Sequence, residues 1–538
     1  MSSKREAAVS ERASFEVPPP PIPAKDIKET ISTEVVVVGC GIAGLAASLS
    51  AKQAGAKTIV LEKLPSYNFR GGWNAAFNSR LQKKVGIDID KEEVIAAIME
   101  SGAYHRDQRV VRKWAYNADQ VMEWLIDMAE ADGQPVVLDP VQRDWFFRHY
   151  PMSHLFVSRD KGNSSLQMNL AQLLYKNGQA AGVDYRFDTP AVQLIREGKG
   201  RVTGVIAKNE KGDYLQFNAK KAVILCSGDY GSNREMVEKY CAWRAAAMFD
   251  ISQAYADATV IATGAKDGRA NTGDGHQMGM WIGAAIDDPP HCPMFFDRSN
   301  AGAPPDKITK KGQILMRYFL DIPRQPFLTV NINGERFMNE DIPWNFESNQ
   351  YMTQPGYVGW KVWDSKYELE WPRFKSVACK SLGAPMYRHK PDYVQKGIEW
   401  GAILTAETLD ELAKKMEVPA DTFKATVARY NAMTRNGKDL DFGKHPERMT
   451  TVDYPTFYAC KCSGQYLVIL GGLQINPDLQ VLDTERKPIP GLYAAGNVSG
   501  SFWGEEYPIA AVPGASHSRA WTFGRLAGLA AAAEKVQR

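Results

Sequence analysis

Near the start of the chain, the apolar positions fall into a strand, a helix and a second strand. From Thr33 the sequence reads TEVVVVGCGIAGLAASLSAKQAGAKTIVLEK. Val35 to Val38 predict a strand buried on both faces, because β-branched side chains favour extended backbone and no polar position marks a solvent side. An alanine-rich helix follows, and TIVLEK supplies a second strand ending on Glu62. Gly39, Gly41 and Gly44 stand between the first strand and the helix as G-x-G-x-x-G, with Ile42 and Ala43 inside the motif. With an acid about 20 residues beyond the glycines, this is the strand, turn, helix, strand and Glu context of a dinucleotide fingerprint. The glycines permit a tight turn and let a pyrophosphate reach N–H donors at the helix N-terminus. Glu62, followed by Lys63, is placed to accept hydrogen bonds from an adenosine ribose.

Farther along, the pattern changes. KKAVILCSGDYGSN, residues 220–233, is a β run closing on small residues. Over residues 250–455, short strands mix with tryptophans and prolines around one helical stretch, AETLDELAKKMEVPADTFKATVARYNAMTRNG. Strand and turn patterning returns in LVILGGLQINPDLQVLDTERKPIPGLYAAGN, and SHSRAWTFGRLAGLAAAAEK predicts a last helix with a small-residue apolar face. No internal repeat is present. The expected layout has three parts: a mobile tail over 1–32, an α/β Rossmann-type domain from 33–249 and 456–538, and an inserted α+β cap or substrate domain over 250–455. A cleft between the domains is the expected seat of chemistry.

Composition narrows the class. The 538 residues are 44% hydrophobic and 24% charged, a globular balance, and the net charge of +3 is too small to argue for nucleic acid or an anionic membrane. No apolar run approaches the roughly 20 residues that span a bilayer, and the N-terminus lacks the hydrophobic core of a secretory signal. A cytoplasmic protein is the expectation. The seven cysteines show no C-x-x-C pair, no spacing among the eight histidines supports a metal site, and no nucleophile elbow occurs.

Six motifs in order resemble one superfamily, the fumarate reductase and 3-ketosteroid dehydrogenase flavoproteins, which bind FAD and carry a cap domain. VVVGCGIAGLAA resembles its FAD fingerprint, and RGGWNAA (Arg70, Gly71, Gly72, Trp73, Asn74 and two alanines) its Gly-Gly-Asn segment against the flavin. AVILCSGDYGSN, with Ser227 and Gly228, matches an Ala-Thr-Gly-Gly-Phe motif. NTGDGH, with Asn271, Thr272, Gly273 and Asp274, matches a Thr-Gly-Asp-Gly motif. VNINGERFMNED is similar to the strand and turn leading to the active site. PGLYAAGNVSG, with Gly496 and Asn497, resembles the start of the final FAD segment. The resemblance further implies that the last helix points at the flavin pyrimidine, with Ala515 and Ser516 as backbone donors. With no histidine near Gly71 and Gly72, FAD is expected to be non-covalent. With neither a c-type haem motif nor a second dinucleotide fingerprint, electrons are expected from a separate donor or acceptor.

The departures bear on substrate. The family's proton-delivering arginine falls on Trp344, which has no titratable proton. Leu470 stands where a clamping histidine is expected, and Glu505 and Glu506 near a second clamp arginine would repel a carboxylate. The ketosteroid-type branch is the closer match, through AAGN and through YPIAAVPG. It implies that the Tyr507 hydroxyl and the Gly514 N–H hold a substrate carbonyl oxygen. The Tyr507–Gly514 spacing is longer than the family's, and the position of the branch's base is again Trp344. The expected activity is hydride transfer at a carbon–carbon bond beside a carbonyl in an apolar pocket, in the reductive direction. The alternatives are a 3-ketosteroid dehydrogenase and a flavoprotein subunit of a larger electron-transfer complex. His517 reads as a capping or packing residue.

Overall fold

In the computed structural model, which describes residues 13–68, 72–139, 149–157, 166–241, 245, 247–249, 271–298, 325–370, 374, 392–399 and 401–536, the valine run ends a longer strand, β1 (Ile27–Val38). The glycine turn leads into α1 (Ile42–Gln53), and β2 (Thr58–Leu61) follows. The chain adds β3 (Asp184–Arg186) and the long β4 (Tyr214–Leu225). It then builds α2 (Asp274–Trp281), β5 (Pro293–Arg298), α3 (Trp344–Tyr351) and β6 (Phe457–Ile469). It returns through β7 (Pro488–Ala494) and ends in α4 (Ala515–Ala533).

The first sheet runs Gln480–Leu482, β7, β4, β1, β2, β3, parallel from β7 onward. Val35–Val38 lie between Thr58–Leu61 and Ala222–Leu225, so both faces of the valines are covered and the run needs no polar alternation. A second, antiparallel sheet centres on β6, which pairs with β5, Val358–Asp364 and Ile403–Ala406. The strand β6 therefore belongs to the second sheet, and the chain rejoins the first only at Gln480. Helix α3 packs against β5 and β6. Among the described residues no helix is long and apolar enough to cross a membrane.

Order also begins earlier than Thr33. Residues Ile27–Ser32 pair with Tyr214–Asn218 of β4, although most of that stretch is exposed; backbone pairing, not burial, holds it. Phe15 is buried against Tyr240, and its carbonyl accepts the Trp281 indole N–H at 2.9 Å. Part of the expected mobile tail is thus docked.

Helices α1 and α4 meet backbone to backbone. A Cβ at Gly524 would lie 2.4 Å from the Ala43 carbonyl oxygen, and one at Gly528 would lie 2.2 Å from that of Ala47. These two glycines, one turn apart, let the helices approach more closely than any side chain allows. Gly528→Ala is expected to lower unfolding stability by about 1–3 kcal/mol through overpacking. Leu529→Ala, on the exposed side, should change it by about 0.5 kcal/mol or less. Urea unfolding of the two variants side by side checks the contrast.

Candidate functional site

At the end of β1 the chain must turn within contact of β4. Gly39 does so at φ +102°, and a Cβ there would lie 2.4 Å from the Cys226 carbonyl oxygen. A Cβ at Gly44 would meet the Gly39 carbonyl oxygen at 1.9 Å, so this glycine closes the turn onto α1 instead of facing the cavity. Glu62, at the end of β2, accepts the Cys40 N–H at 2.7 Å and the Leu64 N–H at 2.9 Å. Burial pushes its carboxyl above the ordinary range, while those two N–H bonds oppose the shift. Glu62 therefore braces the glycine turn as well as facing the groove. Lys63 donates to Thr272 Oγ1 at 2.8 Å and to Asp274 Oδ2 at 2.7 Å. Asp274 opens α2 behind Gly273, which caps the helix at φ +78°.

Two cavities meet here. One, of about 610 Å³, is lined at one end by Gly39, Glu62, Lys63, Ser227 and Asp274. The other, of about 970 Å³, reaches Tyr507, Gly514, Ser516 and His517. Both are lined by Gly41, Asn68, Cys226, Gly228 and Asn271, so they form one continuous groove across the helix-α1 N-terminus. An elongated dinucleotide fits it: the Glu62 carboxylate at one end, a side-chain-free turn in the middle, and a chamber of mixed apolar and polar side chains at the other end. Ile42, Ala43, Gly72, Trp73, Gly496 and Asn497 line the second cavity as well. Arg70 and Gly71 lie outside the described residues.

The far end is set by the loop after β7 and the start of α4. Gly514 has φ +84°, and a Cβ there would stand 2.7 Å from the Trp73 carbonyl carbon. Its carbonyl accepts the Ala75 N–H at 3.2 Å, tying the helix entry to the Trp73–Asn74 segment. Tyr507 is 2% exposed, and its ring packs edge-on against Trp503 at 4.7 Å. The N–H that meets the Tyr507 hydroxyl is that of Ser516, at 3.3 Å. Gly514 thus shapes the helix entry beside the tyrosine. The Ala515 N–H is directed to the Val512 carbonyl at 3.2 Å. Trp344 begins α3, and its side chain lies outside the described residues.

Several partners here had no sequence pattern to mark them. The Trp73 indole N–H donates to Asp139 Oδ2 at 2.6 Å, and burial pushes the Asp139 carboxyl up to about 6. Asn74 donates to the carbonyls of Gly72 and His154, and accepts from His517 and Trp521. Arg519, fully buried, donates to the carbonyls of Ser499 and Gly496 and to Asn497 Oδ1, locking the AAGN turn onto α4. Glu506 accepts from Asn345 Nδ2 at 3.2 Å and Asn349 Nδ2 at 3.1 Å, while Glu505 meets His105 at 3.1 Å on the surface. Glu506 is therefore a clasp to α3 and not a solvated loop charge.

The family model described as the FAD binding domain matches residues 34–508. The vinyl phenol reductase of Lactiplantibacillus plantarum is 28% identical over 522 residues, covering 93% of this chain and 96% of that one. Among solved structures, the open conformation of a flavocytochrome c3 fumarate reductase superposes with a TM-score of 0.68 at 26% identity, over 95% of this chain and 79% of that one. The fold is shared with 3-ketosteroid-Δ4-(5α)-dehydrogenase from Rhodococcus jostii RHA1, at a TM-score of 0.69 and 21% identity over 96% and 100% of the two chains. With the glycine turn, Glu62 and most of the groove lining inside the matched span, the chain belongs to the FAD binding domain family and is an FAD-dependent oxidoreductase of the fumarate reductase and ketosteroid dehydrogenase superfamily.

Proposed function

We propose that this protein reduces a carbon–carbon double bond conjugated to a carbonyl or hydroxyaryl group in a largely apolar substrate, drawing electrons from a separate donor. The observation that carries this reading is Tyr507, a buried hydroxyl on the wall of a mainly apolar chamber, held by a backbone N–H at the start of α4. Met294, Leu467, Val468, Ile509 and Trp73 supply the apolar walls. Bound FAD supplies the hydride.

An oxygen that accepts a backbone N–H is polarised toward releasing its own proton. The start of α4 adds positive partial charge that favours negative charge on the tyrosine side of the site. Tyr507 can then hydrogen-bond to a conjugated oxygen as charge builds there, or pass its proton to the carbon next to the one receiving hydride. Hydride and proton together saturate the double bond, a two-electron reduction. Glu506, the neighbouring residue, adds negative charge at this end, which disfavours a dicarboxylate. The vinyl phenol reductase relative supports the hydroxyaryl side of the reading, since its name describes an alkene carried on a phenol.

Anaerobic reoxidation of the reduced holoenzyme tests substrate class. Hydroxystyrenes, phenylpropenoids or cyclic enones should return the oxidised flavin spectrum, with fumarate slower by about 100-fold or more, matching the loss of a carboxylate-clamping pair. Fumarate reacting as fast as the best apolar alkene would overturn the reading. Tyr507→Phe should slow single-turnover reoxidation by about 10²–10⁴-fold while flavin content stays at the wild-type level. An unchanged rate across every accepted alkene removes Tyr507 from the chemistry.

A further inference from the structure

His517, in the first turn of α4, is held in a single tautomer by Asn74. The Asn74 amide has its orientation set twice over. Its Nδ2 donates to the carbonyls of Gly72 at 3.0 Å and His154 at 3.2 Å, and its Oδ1 receives the Trp521 indole N–H at 3.1 Å. An indole nitrogen can only donate, so Oδ1 is the acceptor. His517 Nδ1, 2.9 Å from the same oxygen, must therefore carry the proton. The other ring nitrogen, Nε2, is left with a bare lone pair. It is buried and has no hydrogen-bond partner among the described residues. Burial holds the imidazole down to about 4, so it is neutral at ordinary pH.

A buried acceptor without a partner is destabilising, and a ligand that supplies the donor removes that cost. His517 lines the groove beside Gly514, Ser516 and Tyr507, at the end opposite Glu62. With the ribose taken by Glu62, the isoalloxazine is the part of FAD that occupies this end. In oxidised flavin the ring carries one N–H, at N3, flanked by two carbonyl oxygens. A lone-pair acceptor next to the positive end of a helix complements that edge: Nε2 for the N–H, the helix terminus for the oxygens. We infer that His517 is a flavin-positioning residue whose Nε2 accepts the N3–H of FAD. This goes beyond the assignment of Tyr507, and its test involves no substrate.

Apoprotein prepared from the full chain is titrated with FAD and with FAD methylated at N3. Wild type should bind the methylated cofactor about 10-fold or more weakly than FAD. His517→Leu should lose about 5- to 10-fold in FAD affinity and discriminate less than about 2-fold between the two flavins. His517→Gln, which can offer its Oε1, should keep most of the discrimination. With ¹⁵N-labelled FAD, the N3 resonance should lie downfield in wild type relative to His517→Leu. Equal binding of both flavins by wild type, or a wild-type ratio in the leucine variant, overturns the inference. So does a leucine variant that binds both flavins as wild type does and changes only substrate KM, because the donor would then belong to the substrate. Should the leucine variant fail to fold, the wild-type comparison of the two flavins still decides.

Discussion

The contact of α1 with α4 through Gly524 and Gly528 is the constraint on which the groove depends. Because the two backbones touch at Ala43 and Ala47, the helices run together and both start at the same cavity. One N-terminus faces the glycine turn after β1; the other faces the chamber that holds Tyr507 and His517. Side chains at the crossing would push the helices apart, and the two positive ends would no longer address one ligand. Oxidoreductase chemistry thus rests on two hydrogen atoms standing where methyl groups would otherwise be.

Much of the nucleotide half was legible in the sequence, because its determinants are short-range. Val35–Val38, the three glycines and Glu62 lie within one strand–helix–strand unit, and each carries its conformational reason locally. The loop that carries Tyr507 was legible from its place between AAGN and the last helix. The earlier start of β1 was not, since Ile27–Ser32 is mostly exposed and held by pairing with β4, which leaves no burial periodicity to read. The role of β6 in the second sheet was hidden for a related reason: an apolar run fits either sheet until its partners are known.

Polar networks were the least legible part. His517 reads as a cap until Asn74, 443 residues away in sequence, fixes its tautomer. Glu506 reads as a charge that would repel a carboxylate, and its partners Asn345 and Asn349, 161 and 157 residues away, cannot be read from the chain. Gly514 turns the chain at positive φ with its carbonyl on the Ala75 N–H, and the Tyr507 oxygen receives the Ser516 N–H, a pairing that no spacing in the sequence marks. Such assignments depend on which of several equally polar residues the fold brings within hydrogen-bonding distance, and spacing along the chain carries no information on that.

The Glu506 clasp also has a mechanical meaning. It joins the loop bearing Tyr507 to α3, a helix that packs on the second sheet, one residue from the tyrosine itself. The placement of that loop is thus shared between the last strand and helix of the first sheet's layer and a helix carried by the second sheet.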